Sequence, residues 1–149
     1  MKKIEARLIE SHLTHQIRHE VLWQHKNLEN CSLIEDFLKS TFHVGVFYSK
    51  KLVSVGTFIK VDNNSFENSQ KNQYRLRAMG TYTKYQKKSM GRELIFYAKK
   101  KLKKKNINIL WCDAREEAIS FYKKLGFKTK GKYYEIPEIG PHKLMYLYL

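Results

Sequence analysis

The 149-residue sequence has only two cysteines, Cys31 and Cys112, and no long apolar run. Two cysteines cannot build a disulfide framework, and they do not show the spacing of metal ligands. No apolar stretch approaches the roughly 20 residues that a membrane-spanning helix requires. Charged residues interrupt the apolar ones near the start of the chain, which is unlike a secretory signal peptide. These absences predict a protein of the reducing cytoplasm, without a metal site or a membrane-spanning segment.

Acidic residues are also scarce: 14 Asp and Glu stand against 29 Lys and Arg, for a formal net charge of +15. A field of this sign attracts anions, including nucleic acids, acidic membranes and phosphorylated cofactors. Charged side chains lie on solvated faces by default, so net charge alone does not select the partner. With 42% hydrophobic residues the chain can fill one core, and its length predicts a single domain over residues 1–149.

Hydrophobic periodicity predicts an α/β chain. Strands are expected at 3–9, 44–48, 52–59, 74–82, 107–112, 127–136 and 142–149. Helices are expected after Ser11 or Thr14, after Ser32, and over residues 90–105 and 116–125. Strict alternation along the fourth strand would place Tyr74, Leu76, Ala78, Gly80 and Tyr82 on one side of the sheet, and Arg75, Arg77, Met79 and Thr81 on the other.

The segment from Gln86 to Arg92, before the long central helix, combines the features of an anion site. A helix N-terminus offers unpaired backbone N–H groups and a partial positive charge. Gly91 would let a ligand approach the backbone, and Lys87, Lys88 and Arg92 surround the turn. The segment therefore suits a pyrophosphate. Spacing alone is equally consistent with a plain polar turn capped by Ser89.

Two signatures in this chain resemble those of the GNAT N-acetyltransferase superfamily. The stretch Leu76-Arg-Ala-Met-Gly-Thr-Tyr-Thr-Lys-Tyr-Gln-Lys-Lys-Ser-Met-Gly-Arg-Glu-Leu94 is similar to the family's motif A, a strand followed by Arg/Gln-x-x-Gly-x-Gly/Ala and a helix. Downstream, Ala118-Ile-Ser-Phe-Tyr-Lys-Lys-Leu-Gly-Phe127 is similar to its Ala-x-x-Phe-Tyr-x-x-x-Gly-Phe signature. The order of elements matches over essentially the whole chain. The resemblance implies a GNAT-like α/β (α+β) fold: a mixed, mostly antiparallel twisted sheet of six to seven strands, flanked by about four helices.

The resemblance also implies acetyl-CoA as co-substrate and assigns residues to it. The backbone of Met79, Gly80 and Thr81 would pair with the pantetheine arm like an added strand, and an N–H near Met79 would hold the thioester carbonyl oxygen. The pyrophosphate would be surrounded by Gln86, Lys87, Lys88, Ser89, Met90, Gly91 and Arg92. Tyr122 would contact the cofactor and protonate the departing thiolate as general acid. The alternative for Tyr122 is a core aromatic on an amphipathic helix.

Two positions depart from the family pattern. Ser89 stands where the first loop glycine is usual, and a serine with φ > 0 would cost roughly 1 kcal/mol. Its hydroxyl could instead cap the helix or donate to a phosphate oxygen. Arg115 stands where many relatives have asparagine, and it could pair with a cofactor phosphate or a substrate carboxylate, or lie in solvent.

The attacking amine must lose a proton, so a base or a water relay is needed. Glu135 and His142 fall near the positions where relatives place acceptor-site groups, and they are the candidate catalytic residues beside Tyr122. Ordinary loop polarity is the alternative for both.

These observations favour direct transfer of an acetyl group from acetyl-CoA to a primary amine of a small molecule or protein, in one ternary complex. No cysteine is placed as an acyl carrier. Nucleic acid is not expected as a partner, and the chain is expected to be a monomer or homodimer. Two alternatives stay open: a basic nucleic-acid-binding α/β module, for which Tyr133, Tyr134, Tyr146 and Tyr148 are the hints, and a CoA-binding GNAT relative without turnover.

Overall fold

A computed structural model describes residues 3–149. The strands are β1 (Ile4–Ile9), β2 (Phe42–Tyr48), β3 (Lys51–Lys60), β4 (Gln73–Thr81), β5 (Ile109–Arg115), β6 (Lys128–Ile136) and β7 (Gly140–Tyr148). The α-helices are α1 (His15–Ile17), α2 (Met90–Lys104) and α3 (Ile119–Lys124). A 3-10 turn (Ser11–Thr14) precedes α1 and a π-helical turn (Arg18–Leu22) follows it, so residues 11–22 form one helical segment.

The seven strands form one sheet in the order β1-β2-β3-β4-β5-β7-β6. Every neighbouring pair is antiparallel except β4 and β5, which are parallel. Parallel neighbours need a crossover connection, and α2 provides it. The mixed, mostly antiparallel sheet expected from the sequence is confirmed. The flanking layer differs from the expected four helices: residues 3–149 contain three α-helices, two of them short, with 3-10 turns between the elements.

The main core lies between the sheet and α2 with α3. The stripe Leu94, Ile95, Ala98 and Leu102 on α2 is buried there, as its helical spacing predicts. A smaller cluster on the other face of the sheet holds Phe66, Ile109, Trp111 and Leu144. Strand β5 contributes to both clusters, which explains its nearly continuous apolar sequence. The face covered by α2 and α3 is called the helix face; the opposite face, which the helical segment 11–22 covers in part, is called the open face.

An ion pair that no local pattern predicts is buried between the helical segment 11–22 and the loop before β2. The guanidinium of Arg18, 0% exposed, donates to both carboxylate oxygens of Asp36 at 2.7 and 2.8 Å and to Thr57 Oγ1 at 2.7 Å. Asp36 Oδ2 also accepts the backbone N–H of Leu33 at 2.8 Å. A buried charge is tolerated only when it is paired in this way. The pair fixes the loop against the sheet.

The helix predicted after Ser32 is a single 3-10 turn, Ile34–Phe37. Asp36 is its inward-facing residue, because it binds Arg18, whereas Ile34 and Phe37 are 89% and 77% exposed. The apolar residues that indicated a buried helix face therefore lie in solvent.

Within residues 3–149 no helix combines the length and the apolarity needed to cross a membrane. The same residues contain no group of three or more His, Cys, Asp or Glu side chains placed to hold a metal ion. Both cysteines are free and buried.

Candidate active site

A gap opens between the two parallel strands at the centre of the sheet. Strands β4 and β5 pair only at Gln73–Arg75 with Ile109–Trp111. Beyond those positions β4 continues to Thr81 and β5 to Arg115 without pairing. In the described part of the chain, the β5 side of β4 therefore has no strand partner over residues 76–81. An extended ligand could add to it there as a strand does.

A β-bulge re-aims the side chains of β4 beside this gap. The pairing with β3 shifts between Arg77 and Gly80, and Ala78 has the left-handed value φ = +52°. An extra residue of this kind moves the following side chains to the other face. Met79 accordingly packs with the main core, whereas a Cβ on Gly80 would contact Val21 and Leu22 on the open face. The strict alternation expected for β4 is wrong after Arg77.

The turn before α2 exposes backbone donors. Lys87 and Ser89 have φ values of +60° and +71°, so the backbone doubles back sharply before the helix. The first amide with an acceptor along the helix is that of Glu93, which donates to Ser89 O at 3.0 Å. The N–H groups at 90–92 precede it and have no intrahelical acceptor. Their direction and the helix dipole favour an anion at this end.

The side chains of this turn divide into exposed and buried ones. Lys87 and Lys88 are exposed, and the Arg92 guanidinium lies 5.1 Å from the centre of the Phe96 ring. Met90 is buried in the main core, so only its backbone can face a ligand. Gln86 Nε2 donates to Thr81 O at 3.0 Å and ties the turn to the end of β4.

The absent side chain of Gly91 makes room for two neighbours. A Cβ at this position would lie 2.8 Å from Phe121 Cζ and 3.5 Å from Met79 Cε. Gly91 therefore lets α2, α3 and the bulge of β4 approach one another. This contact brings together three of the segments that the sequence singled out: the loop before α2, residues 79–81, and the Phe121–Tyr122 pair.

Tyr122 points from α3 into the core beneath the sheet. It is 8% exposed, and its ring lies 5.2 Å from the ring centres of both Phe121 and Phe127. Burial raises the pKa of its hydroxyl well above the ordinary tyrosine value, and Cys112, its hydrogen-bond partner, raises it further. The phenol therefore carries its proton at neutral pH, as a general acid must.

The other predicted site residues lie near the β5–β7 end of the sheet. His142 is buried, donates a hydrogen bond from Nδ1–H to Gly140 O at 2.8 Å, and stacks with Tyr134. Arg115 pairs with His142 across the strands and is exposed. Glu135 is exposed and follows Tyr134 on β6, so its side chain points to the opposite face from that tyrosine. The structure thus brings His142 to the open face and leaves Glu135 on the other.

Asp113 is a polar residue of the site that sequence reasoning missed. Its carboxylate accepts hydrogen bonds from Arg75 Nη2 at 2.6 Å and from the Tyr134 hydroxyl. These contacts join β4, β5 and β6 on the open face, two positions beyond the last β4–β5 pair. The available signal was the alternation of Arg75, Arg77 and Asp113 with apolar residues on two neighbouring strands.

An N-acetyltransferase fold is the class that this sheet with a central gap and an open helix N-terminus defines. A family model described as an acetyltransferase (GNAT) domain matches residues 12–139. The chain is also 36% identical over 143 residues to an uncharacterized N-acetyltransferase, YitI, of Bacillus subtilis (strain 168), an alignment that covers 96% of this chain and 95% of that protein. The chain belongs to the GNAT superfamily of N-acetyltransferases.

Solved structures share the fold at low sequence identity. FeeM, an N-acyl amino acid synthase from uncultured soil microbes, matches with a TM-score of 0.77 at 14% identity, over 99% of this chain and 92% of that one. An aminoglycoside 6′-N-acetyltransferase in complex with coenzyme A matches with a TM-score of 0.75 at 13% identity, over 97% of this chain and 96% of that one. A Bacillus subtilis acetyltransferase in complex with CoA matches with a TM-score of 0.71 at 16% identity, over 99% of each chain.

Proposed function

We propose that this N-acetyltransferase moves the acetyl group of acetyl-CoA to a primary amine by direct attack in a ternary complex, with Tyr122 as general acid. The observation that carries the proposal is the unpaired stretch of β4 beyond Arg75, directly before the open amides of α2. A single extended ligand with a diphosphate at one end fits both features. Structural relatives in complex with coenzyme A support the same class of co-substrate.

The cofactor contacts follow from these two features. The amides at 90–92 would hold the pyrophosphate, and Lys87, Lys88 and Arg92 would neutralise its charge. The backbone of 79–81 would pair with the pantetheine arm along the open edge of β4. The thioester would then lie in the gap between β4 and β5, near the bulge at Ala78 and on the sheet side of Tyr122.

The acetyl transfer needs a nucleophile, a leaving group and a place for each proton. The amine nitrogen attacks the thioester carbonyl carbon, the C–N bond forms, and the C–S bond breaks. The leaving thiolate takes the phenol proton of Tyr122, the proton lost by the amine passes to a base or water, and a proton from that base or water restores the Tyr122 phenol. Burial disfavours a thiolate in this pocket as it disfavours a phenolate, so the sulfur leaves more readily once it is protonated. The products are an N-acetyl amine and CoA thiol.

Replacing Tyr122 tests the proposal. A panel of amines with acetyl-CoA is assayed by thiol release, for the native chain, Tyr122→Phe and a control, Tyr97→Phe, a partly buried tyrosine of α2. We expect Tyr122→Phe to lower kcat about 100-fold and to leave CoA affinity, measured by calorimetry, within about twofold of the native value. Tyr97→Phe should leave both unchanged. Equal turnover in Tyr122→Phe removes the general-acid role, and native protein that binds no CoA overturns the proposal.

A further inference from the structure

Three arginine–carboxylate pairs join different elements on the open face of the sheet: Arg18 with Asp36, Arg75 with Asp113, and Arg77 with Glu35. The first two are tight, with shortest N–O distances of 2.7 and 2.6 Å. The third is loose, because Arg77 Nη1 lies 3.6 Å from Glu35 Oε2, which is too long for a hydrogen bond. The third pair is also the most exposed, with side chains 38% and 34% accessible. Arg77 is therefore the least compensated of these three guanidiniums.

Arg77 lies where an acceptor would have to bind. It precedes Ala78, the left-handed residue of the bulge, and its side chain is on the same face as that of Arg75. Burial, followed by the positive charge of Arg75, lowers the pKa of its guanidinium. Arginine nevertheless remains charged at neutral pH. A planar cation with free donors beside the gap suits a carboxylate, which it can bind through two parallel hydrogen bonds.

Two exposed apolar side chains belong to the turn whose Glu35 approaches this cation. In the 3-10 turn Ile34–Phe37 the side chains at positions i and i+3 eclipse, so Ile34 and Phe37 lie on one side of the turn. Glu35 lies between them in sequence and contacts Arg77. The Arg18–Asp36 pair holds the turn rigidly, yet both apolar side chains stay largely exposed. The element that contributes Glu35 to Arg77 therefore also presents two large apolar side chains to solvent.

Resting on the acetyl transfer proposed above, we propose that the acceptor is an apolar α-amino acid. Its carboxylate binds Arg77, its side chain packs on Ile34 and Phe37, and its amine attacks the thioester. Arg77 and Met79 flank Ala78, the left-handed residue of the bulge, and an α-amine is two bonds from its carboxylate carbon. A thioester in the gap lies between the two faces, so its sulfur can face Tyr122 while the amine approaches from the open face.

Three candidate acceptors test whether the acceptor is an apolar α-amino acid, because two of them each lack one feature of the third. L-Phenylalanine carries the carboxylate and the apolar group, L-phenylalaninamide lacks the carboxylate, and glycine lacks the apolar group. We expect kcat/KM with acetyl-CoA to be about tenfold or more higher for L-phenylalanine than for either of the others. The thiol-release assay measures all three with the same reaction.

Variants assign each preference to its residue. Arg77→Gln should raise KM for L-phenylalanine about tenfold and leave L-phenylalaninamide nearly unchanged, whereas Arg7→Gln, on β1 against Phe47, should change neither. Ile34→Ser with Phe37→Ser should reduce the preference over glycine, and Leu28→Ser, another exposed apolar residue, should not. CoA affinity measured by calorimetry confirms that each variant is folded.

The failure of this assignment differs from that of the transfer itself. Equal kcat/KM for the three acceptors, or preferences that survive both variants, overturn the amino-acid assignment and leave acetyl transfer standing. CoA binding without turnover of any of the three also overturns the acceptor class. Native protein that binds no CoA overturns the proposed function first.

Discussion

The two faces of the sheet are built by different means. The helix face holds an apolar core beneath α2 and α3, and its contacts follow the helical spacing of residues such as Leu94, Ala98 and Leu102. The open face holds charged pairs between residues far apart in sequence: 18 positions separate Arg18 from Asp36, and 38 separate Arg75 from Asp113. Apolar packing tolerates small changes of shape, whereas a buried ion pair depends on both partners. The two faces should therefore respond differently to substitution.

Removing one partner of the buried pair should have the largest effect on stability. Arg18→Met leaves the Asp36 carboxylate buried without its main partner, so we expect the free energy of unfolding to fall by about 3–5 kcal/mol. Urea denaturation measures the change, and Arg7→Met provides a matched surface control. Replacing both charged residues with apolar ones, Arg18→Met together with Asp36→Leu, should recover part of the lost free energy of unfolding. A loss below about 1 kcal/mol in the single variant would show that the open face does not depend on this pair.

On the helix face, Gly91→Ala tests whether the glycine serves packing or ligand approach. The new Cβ would lie 2.8 Å from Phe121 Cζ, so we expect a loss of about 1–2 kcal/mol in the free energy of unfolding. In a Phe121→Ala background the same substitution should be neutral or stabilising, because the neighbour is gone and alanine favours helix. Thermal unfolding of the four proteins in this double-mutant cycle provides the measurement. Full additivity would exclude the packing role.

The sequence predicted the helix face well and the open face poorly, for a physical reason. Helical spacing and the two signatures are local, so the buried stripe of α2 and the inward position of Tyr122 follow from neighbouring residues. Partner choice in an ion pair is non-local, so neither the burial of Arg18 nor the binding of Asp113 by Arg75 is visible in a window of sequence. Asp113 directly follows the strand predicted to end at Cys112, which concealed its role.

Two backbone features also had no sequence signal. The bulge at Ala78 requires a left-handed residue, yet alanine has no preference for that conformation. The turn Ile34–Phe37 has the apolar spacing of a buried helix, but the Arg18–Asp36 pair turns Asp36 inward instead. In both places tertiary contacts decide a conformation that local preference does not favour.

Low pH should reduce the free energy of unfolding through His43, which lies on the open face. Burial lowers the pKa of this histidine, so the folded state favours its neutral form and the unfolded chain binds the proton more readily. Its contribution to stability is therefore present above the unfolded pKa of about 6.5 and is lost as the pH falls below it. We expect the free energy of unfolding to decrease between pH 7 and pH 5, by at most about 1.4 kcal/mol per pH unit for this group.

His43→Gln should make that pH dependence shallower, and His25→Gln, at an exposed position, should not. Burial also lowers the pKa of His15, so a smaller slope of the same sign should remain. Urea denaturation at several pH values measures the slopes. An unchanged slope in His43→Gln would remove His43 as the source.

The smallest effect concerns strain on the helix face, at Ser89. Its φ of +71° lies in the left-handed region, and its hydroxyl makes no capping hydrogen bond to α2. A non-glycine residue in this conformation costs about 1 kcal/mol, so Ser89→Gly should raise the free energy of unfolding by roughly 0.5–1 kcal/mol. Ser32→Gly, at an exposed position without a positive φ, should not stabilise the chain.

If Ser89→Gly raises stability but weakens CoA binding in calorimetry, the serine hydroxyl contacts the cofactor and the strain is retained for binding. If stability rises and affinity is unchanged, the serine has no role in binding CoA, and the backbone amides at 90–92 account for the anion site.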